Sequence, residues 1–209
     1  MSSARLTLTF SYAFCLFIHD VSQLHAMEKP PFEHCDISST AHLYRAVALL
    51  RVQEVHDALA AGADITTCDA EGNTVLHHAA ASGNVGIVIE LLDSLHFASD
   101  GIKTAFINRQ NNLGRTALHY AAFWGYTPII TRLIDAGAIV DVQDSYDNTA
   151  LHYAAATGAM SAVAALLSAG ANRSLRNNEG ETAAVVATKH KNASIATLIE
   201  PPTSPTPTR

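Results

Sequence analysis

An all-α solenoid of helix–turn–helix units, joined by β-turn or hairpin loops, is the fold class that three observations predict. One segment recurs four times at a near-constant period, each copy is followed by an amphipathic helical pattern, and glycines punctuate equivalent places. A unit of this size cannot bury its apolar face alone and is stabilised by stacking on its neighbours.

The recurring segments are GNTVLHHAAASGN from Gly72, GRTALHYAAFWGY from Gly114, DNTALHYAAATGA from Asp147 and GETAAVVATKHKN from Gly180. Their threonines, Thr74, Thr116, Thr149 and Thr182, are separated by 42, 33 and 33 residues. The unit is therefore 33 residues long, with nine extra residues in one copy. In each, the threonine and the small apolar residues after it predict a short helix, which Gly83, Gly125 or Gly158 ends. A second helix follows in VGIVIELLDSL, TPIITRLIDAG and MSAVAALLSAG, whose apolar residues recur at three- and four-residue spacing. Gly137 and Gly170 stop it. Extended segments such as AIVDVQD and ANRSLRN then lead through polar turn residues into the next unit.

Turn plus two helices carrying T-x-L-H-x-A-A resembles the ankyrin repeat. Thr74/Leu76/His77/Ala79, Thr116/Leu118/His119/Ala121 and Thr149/Leu151/His152/Ala154 carry the resemblance, with Val75, Ala117 and Ala150 where the family favours proline. Leu43–Asp69 reads as a degenerate first unit, and Gly180–Glu200 keeps only Gly180 and Thr182, with Ala184 and Val185 in place of Leu and His. Atypical ends are expected, since each caps the stacked core. The resemblance spans residues 41–200: about five units at 41–71, 72–113, 114–146, 147–179 and 180–200. Residues 27–40 read as a linker and 201–209, PPTSPTPTR, as a disordered Pro/Thr-rich tail.

Residues 1–26 form a leader. Arg5, the apolar Leu6–Ile18 and the small Ala26 resemble a secretory signal peptide. The alternative is that Met27 is the true start; both place the mature N-terminus near residue 27. A secreted or periplasmic location follows from the first reading and a cytoplasmic one from the second. The stretch is shorter than the ~20 residues that span a bilayer, so no stable membrane span is expected. Cys15, Cys35 and Cys68 form no C-x-x-C; Cys35 and Cys68 would have an oxidising compartment available only with a genuine leader, and both remain open as thiols or a pair.

The formal net charge is -6, and no Lys/Arg run interrupts the acidic balance, which argues against a nucleic-acid partner. Phosphate-loop, zinc-protease and serine-hydrolase motifs are missing, and no cofactor is expected. His77, His119 and His152 sit in successive units about 8–10 Å apart, too far to share an ion whose ligands each lie about 2 Å away. They are expected to bond their own threonines and nearby backbone, and His78 is read as structural too. Glu90, Asp93, Asp135 and Asp141 read as solvated carboxylates at helix ends or in loops. Asn172-Arg173-Ser174 and Asn192-Ala193-Ser194 fit the glycosylation acceptor pattern.

Binding is the remaining chemistry. At ~100° per residue, Ala121, Ala122 and Gly125 fall within about 60° of Leu118, whereas Phe123 and Trp124 fall near 140° and 240°. Tyr120 and Tyr153 share one equivalent position and are expected between units. The ankyrin resemblance implies that Phe123 and Trp124 end an inner helix on the concave surface where family members meet partners. Leu113, Arg115 and Tyr146 occupy turn positions on the same side, so Leu113, Arg115, Phe123, Trp124 and Tyr146 are the predicted partner-binding patch. The insertion within Leu95–Phe106 is read as an extra turn of the second helix, through Leu91, Leu92 and Leu95, broken at Ser99-Asp100-Gly101. The expected function is non-catalytic recognition of a protein partner by a monomer. The alternatives are a metal-assisted hydrolase using inner-face His and acidic residues, or a secreted or periplasmic factor protecting another protein.

Overall fold

One threonine organises each unit after the first. The computed structural model describes residues 37–95 and 99–200. Among them run eleven helices and no strand beyond isolated bridges. They are α1 (Ile37–Ala48), α2 (Val52–Ala60), α3 (Val75–Ser82), α4 (Val85–Asp93), α5 (Asp100–Ile107), α6 (Ala117–Trp124), α7 (Thr127–Asp135), α8 (Ala150–Thr157), α9 (Met160–Ser168), α10 (Ala183–Lys189) and α11 (Ala193–Ile199). Thr74, Thr116, Thr149 and Thr182 stand in extended backbone immediately before α3, α6, α8 and α10. These first helices pack on one another in series, as do the second helices α2, α4, α7, α9 and α11. The chain is thus an all-helical repeat solenoid, joined by hairpin turns marked by the Cys68–Thr74 and Arg176–Thr182 bridges.

The core repeats with the sequence. Leu76, Leu118 and Leu151 are buried two residues after their threonines, and paired alanines behind them let neighbouring helices approach closely. The second helices bury Ile87/Val88/Leu91, Ile129/Ile130/Leu133, Ala162/Val163/Leu166 and Ile195/Ala196/Ile199. Each large aliphatic side chain so buried stabilises by about 1.5–3 kcal/mol. Tyr120 and Tyr153 are buried between units, as expected.

The histidines do more than close their own turns. Thr74 N–H donates to His77 Nδ1 at 3.0 Å, and the same contact recurs at Thr116–His119 and Thr149–His152. Because Nδ1 accepts, the ring proton is on Nε2. Nε2 donates across the repeat boundary: His77 to the Arg115 carbonyl (3.0 Å), His119 to Asn148 (3.1 Å) and His152 to Glu181 (3.1 Å). Tyr44, at the equivalent place in the first unit, donates its hydroxyl to the Asn73 carbonyl at 3.3 Å. A tyrosine there does the histidine's work. Val185 stands at this position in the last unit, and it is exposed.

A left-handed residue ends each first helix. Gly83, Gly125 and Gly158 have φ of 77°, 71° and 80°, and Leu50 and Lys191 take 57° and 64° at the same register in the end units.

Three expectations are corrected. Helix α4 stops at Asp93, giving it nine residues like α7 and α9, so the insertion adds no turn to it. Instead Ser99, in extended backbone, is the N-cap of a separate helix, α5, which buries Phe106 and Ile107 and leaves Ile102 exposed. Asn108 Oδ1 then accepts from Ile139 N–H (2.7 Å), as Asp141 Oδ1 accepts from Asn172 N–H (2.9 Å), so the chain is back in register. Asp141 therefore holds a loop rather than lying idle in solvent. Residues 37–40, read as linker, belong to α1. The leader, residues 27–36 of the linker, the tail, Cys15 and Cys35 lie outside the described residues. Cys68 is half-buried beside the first hairpin.

Candidate partner-binding surface

The turns between units share one side-chain device. Asp69, Asn111, Asp144 and Asn177 each lie five residues before a repeat threonine. In each, Oδ1 accepts from the backbone N–H groups two and four residues later, at 2.7–3.1 Å. This local pairing holds the turn tight. Adjacent turns are also stitched together: Asn112 N–H to the Glu71 carbonyl (3.0 Å), Ser145 N–H to Leu113 (2.9 Å) and Asn178 N–H to Tyr146 (3.0 Å). The result is a continuous row of turn tips whose outward side chains are Glu71, Leu113, Tyr146 and Glu179, all exposed.

The second polar atom of Asn111, Asp144 and Asn177 reaches the preceding turn, whereas that of Asp69 pairs with His78 and Asn73. Asn111 Nδ2 donates to Asn73 Oδ1 (2.7 Å) and to the Tyr120 hydroxyl (2.9 Å). Asn177 Nδ2 donates to Asn148 Oδ1 (3.2 Å). Between these two Asn–Asn joints lies a charged one: Arg115 Nε is 3.4 Å from Asp144 Oδ2, which also accepts from the Tyr153 hydroxyl at 2.5 Å. The Arg115 guanidinium carbon lies 5.3 Å from the Tyr153 ring centroid. Burial works against the Arg115 charge, but the Tyr153 and Tyr120 oxygens and the Asp144 carboxylate outweigh it and raise its pKa further. Burial also pushes the Tyr153 phenol above its ordinary value.

The predicted patch therefore divides. Leu113 and Tyr146 are 42% and 43% exposed on adjacent, hydrogen-bonded turns. Arg115 is 7% exposed and corrects the expectation of a surface contact: it joins two repeats. Phe123 and Trp124 are half-buried. Their rings meet edge-on at 5.2 Å, Phe123 meets Tyr153 at 6.1 Å, and Trp124 stacks on Tyr126 at 6.5 Å. They form an aromatic seam that rests on Tyr153, whose hydroxyl bonds Asp144 of the turn. The sequence signal for Arg115 was available in the equal spacing of Asp69/Asn111/Asp144/Asn177 with Asn73/Arg115/Asn148.

A family model described as ankyrin repeats (three copies) matches residues 43–144 and 128–207. The chain belongs to the ankyrin-repeat family. This ankyrin chain is similar to the nuclear factor NF-kappa-B p105 subunit of Rattus norvegicus, 34% identical over 102 residues, covering 49% of this chain and 10% of that one. NF-kappa-B inhibitor alpha of Homo sapiens is 32% identical over 105 residues, covering 49% and 31%. Palmitoyltransferase AKR1 of Debaryomyces hansenii is 34% identical over 82 residues, covering 39% and 10%. The chain thus spans at most 31% of the length of these relatives. Ankyrin repeats generally mediate protein–protein interaction.

The ankyrin stack commits its histidines to structure. Both ring nitrogens of His77, His119 and His152 are engaged by threonine and a neighbouring carbonyl. Burial lowers the pKa of His77 and His119 to about 4 and lowers that of His152. These are the inner-face histidines on which a hydrolase reading would draw. His78 Nε2 pairs with Asp69 Oδ2 at 2.7 Å, and Glu90 pairs with His56 at 3.0 Å. Burial alone would raise the Asp69 pKa, but the hydrogen bond and charge of His78, with Asn73, hold it low. Of the two glycosylation triplets, Asn172 lies exposed, whereas Asn192 donates to the Ala155 and Ala156 carbonyls and ties α8. No helix among the described residues is long and apolar enough to cross a membrane.

Proposed function

We propose that the chain is a non-catalytic binding module that recognises a partner protein through the turn-tip row, together with the Phe123–Trp124 seam. One observation carries the reading: two large apolar side chains, Leu113 and Tyr146, stand 42% and 43% exposed on adjacent turns, while the flanking turns carry Glu71 and Glu179 there. Neither apolar side chain is needed by the turn, because the turn and its stitching use only the backbone N–H and carbonyl of these residues. Tyrosine is enriched among the residues that dominate interface energies. Arg115 contributes by fixing the spacing of the two turns rather than by contact.

The test is affinity capture from the native host with wild type and Leu113→Ser/Tyr146→Ser side by side. The expected result is a partner captured by wild type and lost on substitution, with the thermal midpoint unchanged. Capture that survives the double substitution overturns the reading. Phe123→Ala/Trp124→Ala is a second arm, read against its own midpoint because those rings also hold the fold.

A further inference from the structure

We infer that the row accepts an extended polypeptide segment with an apolar anchor between basic ends. The inference rests on the partner-binding reading above and adds the chemistry of the partner. Four tips separated by about 10 Å each span ~30 Å, the length of roughly nine extended residues. The order along the row is Glu71, Leu113, Tyr146, Glu179, with Asp147 next to Tyr146 and also exposed.

The balance of charge decides the ends. Among the described residues Glu71 and Asp147 form no ion pair, whereas Asp144 is matched by Arg115 and Asp69 is hydrogen-bonded by His78. Glu179 and Glu181 share a single ammonium, Lys189. The Arg176 guanidinium also reaches the last turn, at the Gly180 carbonyl. Lys189 and Arg176 offset Glu179 and Glu181 at the last turn, so the unbalanced negative charge is Glu71 on the Leu113 side and Asp147 on the Tyr146 side. Carboxylates flanking an apolar centre favour Lys or Arg at the ends of what docks there and repel acidic ends.

The experiment selects peptides from a random twelve-residue display library on the full chain. Parallel selections use Glu71→Lys/Asp147→Lys/Glu179→Lys and Leu113→Ser/Tyr146→Ser, all checked for an unchanged thermal midpoint. Wild type is expected to enrich Lys and Arg on both sides of an apolar or aromatic centre, and the triple variant to enrich Asp and Glu. Synthetic peptides from the wild-type pool should bind at least tenfold more weakly when their basic ends are changed to Glu. A wild-type pool with no charge preference, or with acidic ends, overturns the inference. If such peptides are still lost on Leu113→Ser/Tyr146→Ser, the binding surface stands and only its charge selectivity fails. A pool insensitive to that double substitution, or no enrichment at all, overturns both.

Discussion

His77 Nε2 lies 3.0 Å from the carbonyl oxygen of Arg115, the residue whose own side chain reaches Asp144 in the following turn. Two successive boundaries of the stack are thereby tied through one residue. The same carbonyl position takes a donor from Tyr44, His77, His119 and His152 in turn.

The histidine ties make stability fall in mild acid. His77 and His119 have folded pKa values of about 4, lowered by burial from 6.5. Between those values the unfolded chain binds more protons, so stability is full above about pH 6.5 and is lost as pH falls towards 4. The linkage is on the order of 3 kcal/mol for each histidine. Urea unfolding at pH 7.5, 5.5 and 4.5 should show a falling midpoint; Asp69, whose pKa is held below 3.8, acts only at lower pH. A midpoint flat over this range contradicts the assigned tautomer and burial.

Arg115→Asn alone leaves Asp144 buried and unmatched, and should destabilise by about 3–5 kcal/mol. Arg115→Asn/Asp144→Asn rebuilds the joint that Asn73–Asn111 and Asn148–Asn177 use. It should recover most of that loss. A double-mutant cycle by urea unfolding measures the coupling.

Gly114→Ala should destabilise by more than 2 kcal/mol, beyond the ~1 kcal/mol of an ordinary left-handed strain. Its φ is +71°, and a β-carbon there would lie 2.9 Å from the Ser145 backbone nitrogen. Gly137, at φ +103° with open space around it, is the control and should lose less as alanine. Thermal unfolding of both variants checks the difference.

Tyr44→Phe removes the hydroxyl that bonds the Thr67 and Asn73 carbonyls (2.8 and 3.3 Å) while keeping the ring. The expected loss is about 1–2 kcal/mol. Hydrogen exchange should show it first as faster opening of α1 and α2, since terminal units depend on one neighbour.

The period and the helix pairs of the central units were legible because each repeats chemistry at fixed spacing: a threonine, a histidine three residues on, a glycine at φ > 0. The first unit was harder to read because Tyr44 and Leu50 fill the places of His77 and Gly83 with different residue types. Only the 33-residue register reveals them. Arg115 was misplaced because its burial comes from a partner 29 residues later, which a helical wheel of α6 cannot show. Phe123 and Trp124 fall off the Leu118 stripe on a helical wheel, yet a stack supplies neighbours on other sides: Phe123 meets Tyr153 and Trp124 stacks on Tyr126. Ser99 reads as a helix breaker in the sequence and is a helix start in the structure; short polar residues serve both ends, and only the next apolar residues decide.

Site-specific photo-crosslinking asks whether the partner sits on the turn-tip row. A benzoylphenylalanine is placed at residue 113, at 146, or at 132 in α7, where exposed Arg132 lies away from the turns, and the full chain is irradiated in its native host. The expected result is the same crosslinked partner from 113 and 146 and none from 132. A partner that crosslinks from 132 and from neither turn position contradicts it.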